Sequence, residues 1–401
     1  MARIVFLSVP AYGHLNPVLP IIAELVRRGH VVTVFDEPPF ETLIRATGAD
    51  FVAYPKAMSM EDMAAVLIGG DLMATFELFV RASAPLYDFC RARLRNDRPD
   101  ALVIDGIALW GEMVGRKLRI PTVVTSPFFA YEVVRNAAPD EIRRNLRNLV
   151  RLAVPVVVNW IRVGLKGVQL LPLHWPLMPV RGDLTLMLTS RELHPPSPIF
   201  DRRGWAFVGA TIDPRTRPET FDFSRLDGRP VIYVSLGTLI FTKTDFYERV
   251  MEALADYPAQ VLLSAGKGSD LSRFAKAPEN FIVEQTFPQL DVLQRTDIFV
   301  TPAGLNSVHE ALWYGVPMVA VPQHFEQLHN AEAVARGGAG VLLDAEAHGR
   351  TVSPLQLRRA VETIAAELDG HRSRAKALGQ SLRDGGGYVE AANRIEKMIR
   401  D

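Results

Sequence analysis

Three places in the sequence combine residue types with a spacing that chemistry can use. The first is Gly13-His14-Leu15-Asn16-Pro17, which follows the apolar run Arg3 to Val9. Loops at the mouth of a sheet often carry sites, and an imidazole exchanges protons near neutral pH. The second is Asp105, the last residue of the run Ala101-Leu102-Val103-Ile104-Asp105. A carboxylate there can hold a histidine's tautomer and stabilise its imidazolium, or it can cap the helix expected from Ala108 to Leu118. The third is the stretch Ile298 to Ala331. A short apolar strand, a turn at Ala303-Gly304 and a helix carrying Leu305, Val308 and Leu312 lead to a strand from Met318 to Val321. That order sets a helix N-terminus at the carboxyl edge of a parallel sheet, an anion site for which phosphate is the usual anion.

The elements around these residues read as two α/β series. Arg3 to Val9 is a strand. A helix is expected from about Asn16 to Arg28, with Asn16 as cap, Pro17 in its first turn, an apolar face of Ile21, Ile22, Leu25 and Val26, and Gly29 as its stop. Val31 to Phe35 completes a βαβ unit. Asp36 then stands where a dinucleotide enzyme carries its ribose-binding acid. The turn before it has only Gly13, and G-x-G-x-x-G is absent, which argues against that reading. Met58 to Arg95 reads as two helices. Asp213 to Pro230, with three prolines and many polar residues, reads as a linker. The second series opens at Val231 to Thr238 and continues through Val261 to Ser264 and Phe281 to Val283. Ser353 caps a helix to about Leu368, and Gly385-Gly386-Gly387 precedes a last helix ending at Arg400.

Bulk properties narrow the classes. A chain of 401 residues with 48% hydrophobic content supports two ordinary domains. Lys plus Arg balances Asp plus Glu at 45 each, so no global field draws nucleic acid or an anionic membrane. The lone Cys90 rules out an internal disulfide framework, and the first residues enter a strand without a cleavable signal pattern; both suit the cytoplasm. The greasy segment Leu152 to Val180 is broken by Pro155, Asn159, Arg162, Lys166 and Pro172, so no transmembrane segment is expected. His324, Glu326 and His329 match no strong zinc spacing, and no metal or cofactor is expected.

Thr301, Ala303, Gly304, Asn306, Ser307, Glu310, Ala311, Gly315, Val316, Pro317, Met318, Glu326 and Gln327 together resemble the donor-binding signature of UDP-sugar-dependent glycosyltransferases, nearest the bacterial macrolide-type branch. Gly13-His14-Leu15-Asn16-Pro17 is similar to that family's Gly-His-x-Asn-Pro. The resemblance implies the α/β fold called GT-B, two Rossmann-like domains facing across a cleft. Residues 1–212 would bind acceptor, 213–230 would link, 231–384 would bind a nucleotide sugar, and 385–401 would return as a helix to the first domain. It implies inverting, metal-independent transfer of a sugar to a hydrophobic small-molecule acceptor, such as a phenolic, flavonoid or macrolide. His14 would be the general base and Asp105 its partner. Ser235, Gly237 and Thr238 would form the first donor loop, Asn306 and Ser307 would approach the diphosphate beside Gly304, and Glu310 would hold ribose hydroxyls. Glu326 and Gln327 would hold the sugar, with Gln289 retained from the base-binding motif. Met73, Phe76, Phe79, Trp110, Phe128 and Phe129 are candidates for the acceptor pocket.

Two positions depart from the pattern. Pro302 replaces a histidine that donates to the donor's phosphate, and Thr286 replaces a tryptophan that stacks on the base, with Phe287 one residue away. Lys243, Lys267 and Phe287 are the nearest candidates in sequence for replacement contacts. Ser307-x-x-Glu310 also has the form of a capping box, which would explain both residues without a ligand. A GT-B accessory protein that has lost catalysis, or a nucleotide-sugar epimerase, are the rival readings; His14 and Asp105 together argue against the first.

Overall fold

The computed structural model describes residues 1–59, 62–63, 72–130, 180–217, 219–237, 244–266 and 269–400, without the side chains of 72–76, 244 and 325. The chain divides into two compact units. One comprises residues 1–188, 196–211 and 386–401, the other 189–195 and 212–385.

Unit 1 is built on a parallel sheet of β1 (Arg3–Leu7), β2 (Val31–Asp36), β3 (Asp50–Ala53), β4 (Ala101–Asp105), β5 (Thr122–Ser126), β6 (Leu184–Met187) and β7 (Trp205–Phe207), in the order β3-β2-β1-β4-β5-β6-β7. Side chains alternate across it. Val5, Leu7 and Ile104 enter one apolar cluster, while Ile4, Phe6 and Val103 enter the cluster on the other face. The strand order reverses between β1 and β4, and open α/β sheets bind ligands at such a switch point.

After β1 the chain makes a four-residue helix, α1 (Tyr12–Leu15), and then α2 (Leu19–Arg27). The single helix expected from Asn16 is therefore corrected. Asn16 ends α1, and α2 begins at Leu19 with Pro20, not Pro17, in its first turn. Between α3 (Glu41–Ala46) and β4, the 25-residue α4 (Leu72–Asn96) runs through Pro85 and covers most of the stretch read as two helices. The helix α5 (Leu109–Leu118) follows β4.

Unit 2 repeats the plan. Its parallel sheet holds β8 (Val231–Ser235), β9 (Gln260–Ser264), β10 (Phe281–Glu284), β11 (Ile298–Thr301), β12 (Met318–Ala320) and β13 (Gly340–Leu342), in the order β10-β9-β8-β11-β12-β13. Here the switch point lies between β8 and β11. Ile232, Val234, Val261, Leu263, Ile298 and Val300 fill one face, and Tyr233 stacks on Phe299 at 4.9 Å. The helices are α6 (Thr244–Leu254), α7 (Gln289–Val292), α8 (Leu305–Tyr314), α9 (Phe325–Arg336), α10 (Pro354–Ala366) and α11 (Leu368–Asp384). Ser353 caps α10 in a capping box with Gln356.

Two boundaries differ from the sequence expectation. Residues 213–230 belong to unit 2 and pack within it, and residues 189–195, expected in the first domain, belong to unit 2 as well. In the latter, Thr189 Oγ1 is 3.0 Å from His309 Nε2 on α8, and burial pushes that imidazole down to about 3. The terminal helix α12 (Gly387–Arg400) lies in unit 1. Its Ala391, Ala392 and Ile395 join the α2 side of the core, and Glu396 accepts from Arg28 at 2.9 Å and meets His30 Nε2 at 2.8 Å.

The position of α8 depends on one glycine. Gly379 in α11 faces the backbone of α8, where an added Cβ would fall well inside contact distance of the Leu312 carbonyl oxygen. Helical backbone cannot yield as a side-chain tip can. Gly379→Ala is expected to lower stability by about 1–3 kcal/mol, read from urea unfolding. A variant unfolding at the wild-type midpoint would show that this packing is looser than described.

Candidate functional site

In unit 1 the switch point brings His14 and Asp105 together. The β1 register with β4 sets Leu7 beside Ile104, so Asp105 stands at the end of β4 next to the chain leaving β1. Turning at once into α1, that chain places His14 Nδ1 2.8 Å from Asp105 Oδ2. The histidine side chain is 19% exposed and the aspartate 4%. Asp105 Oδ1 separately accepts the Ile107 N–H at 3.0 Å. One carboxylate thus orients the histidine with one oxygen and the loop before α5 with the other, and the cap role open to it in the sequence is not taken up. The helix cap itself is Ala108.

The surroundings sort the remaining unit 1 candidates. Phe128 is half-buried with its ring centroid 6.1 Å from that of His14, so it stands beside the pair. Phe79, Trp110 and Phe129 are buried. Phe79 and Trp110 belong to the core, where Trp110 Nε1 donates to the Tyr54 hydroxyl at 3.1 Å. The side chains of Met73 and Phe76, and all of residues 152–179 with Trp160 and Trp175 among them, lie outside the described residues. Asp36 is fully buried, and burial pushes its carboxyl up to about 7. No ribose can reach it, which removes the dinucleotide reading.

In unit 2 the switch point gathers the loops after β8 and β11. Ser235 Oγ accepts the Gly237 N–H at 3.2 Å, and Gly237 holds a positive φ of 80° with open space where a Cβ would be. Thr238 lies outside the described residues, as do Lys243 and Lys267. After β11 the sharp turn is made by Ala303, at φ 64°, and not by Gly304. Asn330 on α9 fastens that turn by donating to the Ala303 carbonyl at 3.0 Å.

Gly304 is the N-cap of α8 and makes no side-chain cap bond. Ser307 is therefore the third helical residue, and the capping box suggested by Ser307 and Glu310 does not form. The first N–H groups of an α-helix have no intrahelical partner, so Leu305, Asn306 and Ser307 present donors at the positive end of the helix. Gln289 Nε2 bridges Ser307 Oγ (3.2 Å) and Glu310 Oε2 (2.7 Å), and Arg217 donates to Glu310 Oε1 at 2.7 Å. Gln327 Oε1 accepts the Gln323 N–H at 2.9 Å, while Glu326 is half-exposed in the first turn of α9.

The two departures have structural outcomes. Pro302 is buried, and Thr286 is exposed. Phe287 turns inward against Phe221 and Tyr233, with ring centroids at 5.5 and 6.0 Å. It offers no face to a base, so it is withdrawn as a replacement. Among the described residues no group of three His, Cys, Asp or Glu could hold a metal ion, and His329 pairs with Glu332 at 3.0 Å. Among the described residues no helix is long and apolar enough to cross a membrane. Sequence reasoning missed Arg217 and Asn330. Arg217 sat in a presumed linker 93 positions from its partner, and Asn330 fitted the pattern of an ordinary helix.

Two parallel-sheet Rossmann-like units, each with its polar residues at the switch point, define a glycosyltransferase of the GT-B class, an enzyme. Residues 206–368 match the family model for UDP-glucoronosyl and UDP-glucosyl transferase. Over 398 residues the chain is 27% identical to the NDP-glycosyltransferase YjiC of Bacillus subtilis (strain 168), covering 99% of this chain and 97% of the relative. It is 28% identical to the oleandomycin glycosyltransferase of Streptomyces antibioticus, over 98% of this chain and 90% of that one. Among solved structures, the glycotransferase of kitacinnamycin superposes with a TM-score of 0.83 at 29% identity, covering 99% of this chain and 98% of its own.

Proposed function

We propose that the chain moves a sugar from a nucleoside-diphosphate donor, a UDP-sugar first among them, to a hydroxyl of a hydrophobic small molecule, with inversion and without a metal ion. The observation that carries this reading is the His14–Asp105 pair at the unit 1 switch point. With Nδ1 bonded to Asp105, Nε2 is the nitrogen that takes the acceptor's proton. The acceptor oxygen then forms a bond to the anomeric carbon as the bond from that carbon to the diphosphate breaks. Attack from the face opposite the leaving group inverts the configuration. The leaving diphosphate is stabilised by the positive end of the α8 dipole and the first-turn N–H groups there. Half-buried Phe128 beside His14 favours an aromatic or otherwise apolar acceptor. A buried, unpaired Cys90 fits a reducing cytoplasm.

A mass-spectrometric screen of phenols and macrolides against UDP- and TDP-sugars tests the reaction, and the anomeric proton coupling of the product tests inversion. A product of retained configuration would overturn the single-displacement mechanism. Because helix α8 supplies the positive end that a divalent cation would otherwise provide, turnover is expected to persist at the full rate in stripped buffer with EDTA. Activity lost to EDTA and restored by magnesium or manganese would contradict that role for α8.

A further inference from the structure

Glu310 is fully engaged by the protein. Its side chain is 4% exposed, with one oxygen taken by Gln289 and the other by Arg217. A carboxylate that deep in the fold needs such partners in place of the water it has lost. Arg217 is held differently, with 26% of its side chain exposed. It follows the short 3-10 turn Pro214–Thr216, capped by Asp213, whose carboxylate also binds Arg215. Just beyond, the Phe221 N–H donates to Asp291 at 2.6 Å, and the Phe221 ring packs on Phe287. The guanidinium is therefore braced from both sides along the chain, and only one of its edges is spent on Glu310.

We propose that Arg217 is a nucleotide-binding residue of the donor site, anchored by Glu310 and presenting its outer N–H groups to the diphosphate of a bound nucleotide. The inference rests on the reading of α8 as the donor helix. Ser307 and Glu310 are three residues apart on one face of α8 and are bridged by Gln289. That places the guanidinium along the same face as the helix end at which a diphosphate docks. A diphosphate approaching a bare, buried Glu310 would meet a like charge; Arg217 cancels it and leaves donors over. Pro302 supplies neither a side-chain donor nor a backbone N–H. A planar guanidinium suits phosphate oxygens better than any other side chain.

The competing role is purely supportive, with Arg217 holding Glu310 in place for ribose hydroxyls. Uridine and UDP separate the two, because they share ribose and base and differ in phosphate. The full chain, Arg217→Gln and Arg217→Lys are titrated with both ligands by calorimetry at fixed salt. For Arg217→Gln the UDP dissociation constant is expected to rise roughly 10- to 100-fold, the worth of a charge-assisted hydrogen bond. Uridine binding should hold within about threefold, and lysine should recover part of the loss. Equal weakening of UDP and uridine, or unchanged UDP binding, overturns the proposal. If Arg217→Gln does not fold, the double variant Arg217→Leu/Glu310→Gln removes both charges together, and the same UDP-to-uridine ratio decides. A wild type that binds neither UDP nor TDP would instead strike the donor reading, leaving this inference without its site.

Discussion

Replacing His14 by alanine is expected to cut the rate on a phenolic acceptor of ordinary acidity by roughly 10²–10⁴-fold, the usual contribution of a positioned general base. The size follows from the chemistry. A phenol is mostly protonated at neutral pH, so the attacking oxygen becomes a good nucleophile only as its proton leaves. In energy this is about 3–5 kcal/mol of barrier. The fold should survive, because His14 lies in a four-residue helix at the mouth of the sheet, and Asp105 keeps the Ile107 N–H. Added imidazole should restore part of the activity, and a strongly acidic phenol should show a much smaller defect. A folded variant that glycosylates an ordinary phenol at the wild-type rate would show that the proton leaves by another route.

What the sequence made legible was what short-range physics controls. Apolar runs bounded by Gly, Pro or a charged residue located β1, β4, β8 and β11, and the 3.6-residue spacing of Leu305, Val308 and Leu312 located α8. Because strand ends fix what lies at a sheet's mouth, His14 and Asp105 could both be placed at one sheet edge, and the family resemblance made them a pair. The failures came where two local signals competed. Pro17 and Pro20 both suit a helix start, and Asn16 suits a cap, yet the chain spends Asn16 on ending α1 and starts α2 three residues later. Gly304 and Ser307 both suit an N-cap, and a start at Gly304 dissolves the apparent capping box. Phe287 and Thr286 are neighbours, so one points inward when the other points out, and periodicity alone does not say which. Arg217 lay beyond local reasoning altogether, since proline and polar content marks a segment as irregular and says nothing of what it packs against.

Asp105→Asn probes the pair from its other side, and its expected loss is large although the change in shape is small. Asparagine can keep one oxygen on the Ile107 N–H, where Asp105 Oδ1 accepts at 3.0 Å. Its amide nitrogen then faces His14 Nδ1, which in the wild type lies 2.8 Å from a carboxylate oxygen. An amide N–H₂ can only donate, so it favours the tautomer with Nδ1 bare and the proton on Nε2. That tautomer presents an N–H where the base needs a lone pair, and the imidazolium also loses the negative charge that stabilises it. Both effects act through His14, so the loss is bounded by that of His14→Ala, at roughly 10²–10⁴-fold. The double variant should be no slower than His14→Ala alone, because residues that act as one unit are strongly non-additive. Two measurements read the argument independently. Nitrogen-15 chemical shifts of the imidazole should report protonated Nδ1 in the wild type and protonated Nε2 in Asp105→Asn, and a kinetic double-mutant cycle should return a coupling nearly as large as the single effect. Additive losses, or an unchanged tautomer alongside a full loss of rate, would mean that Asp105 contributes to catalysis by some means other than His14.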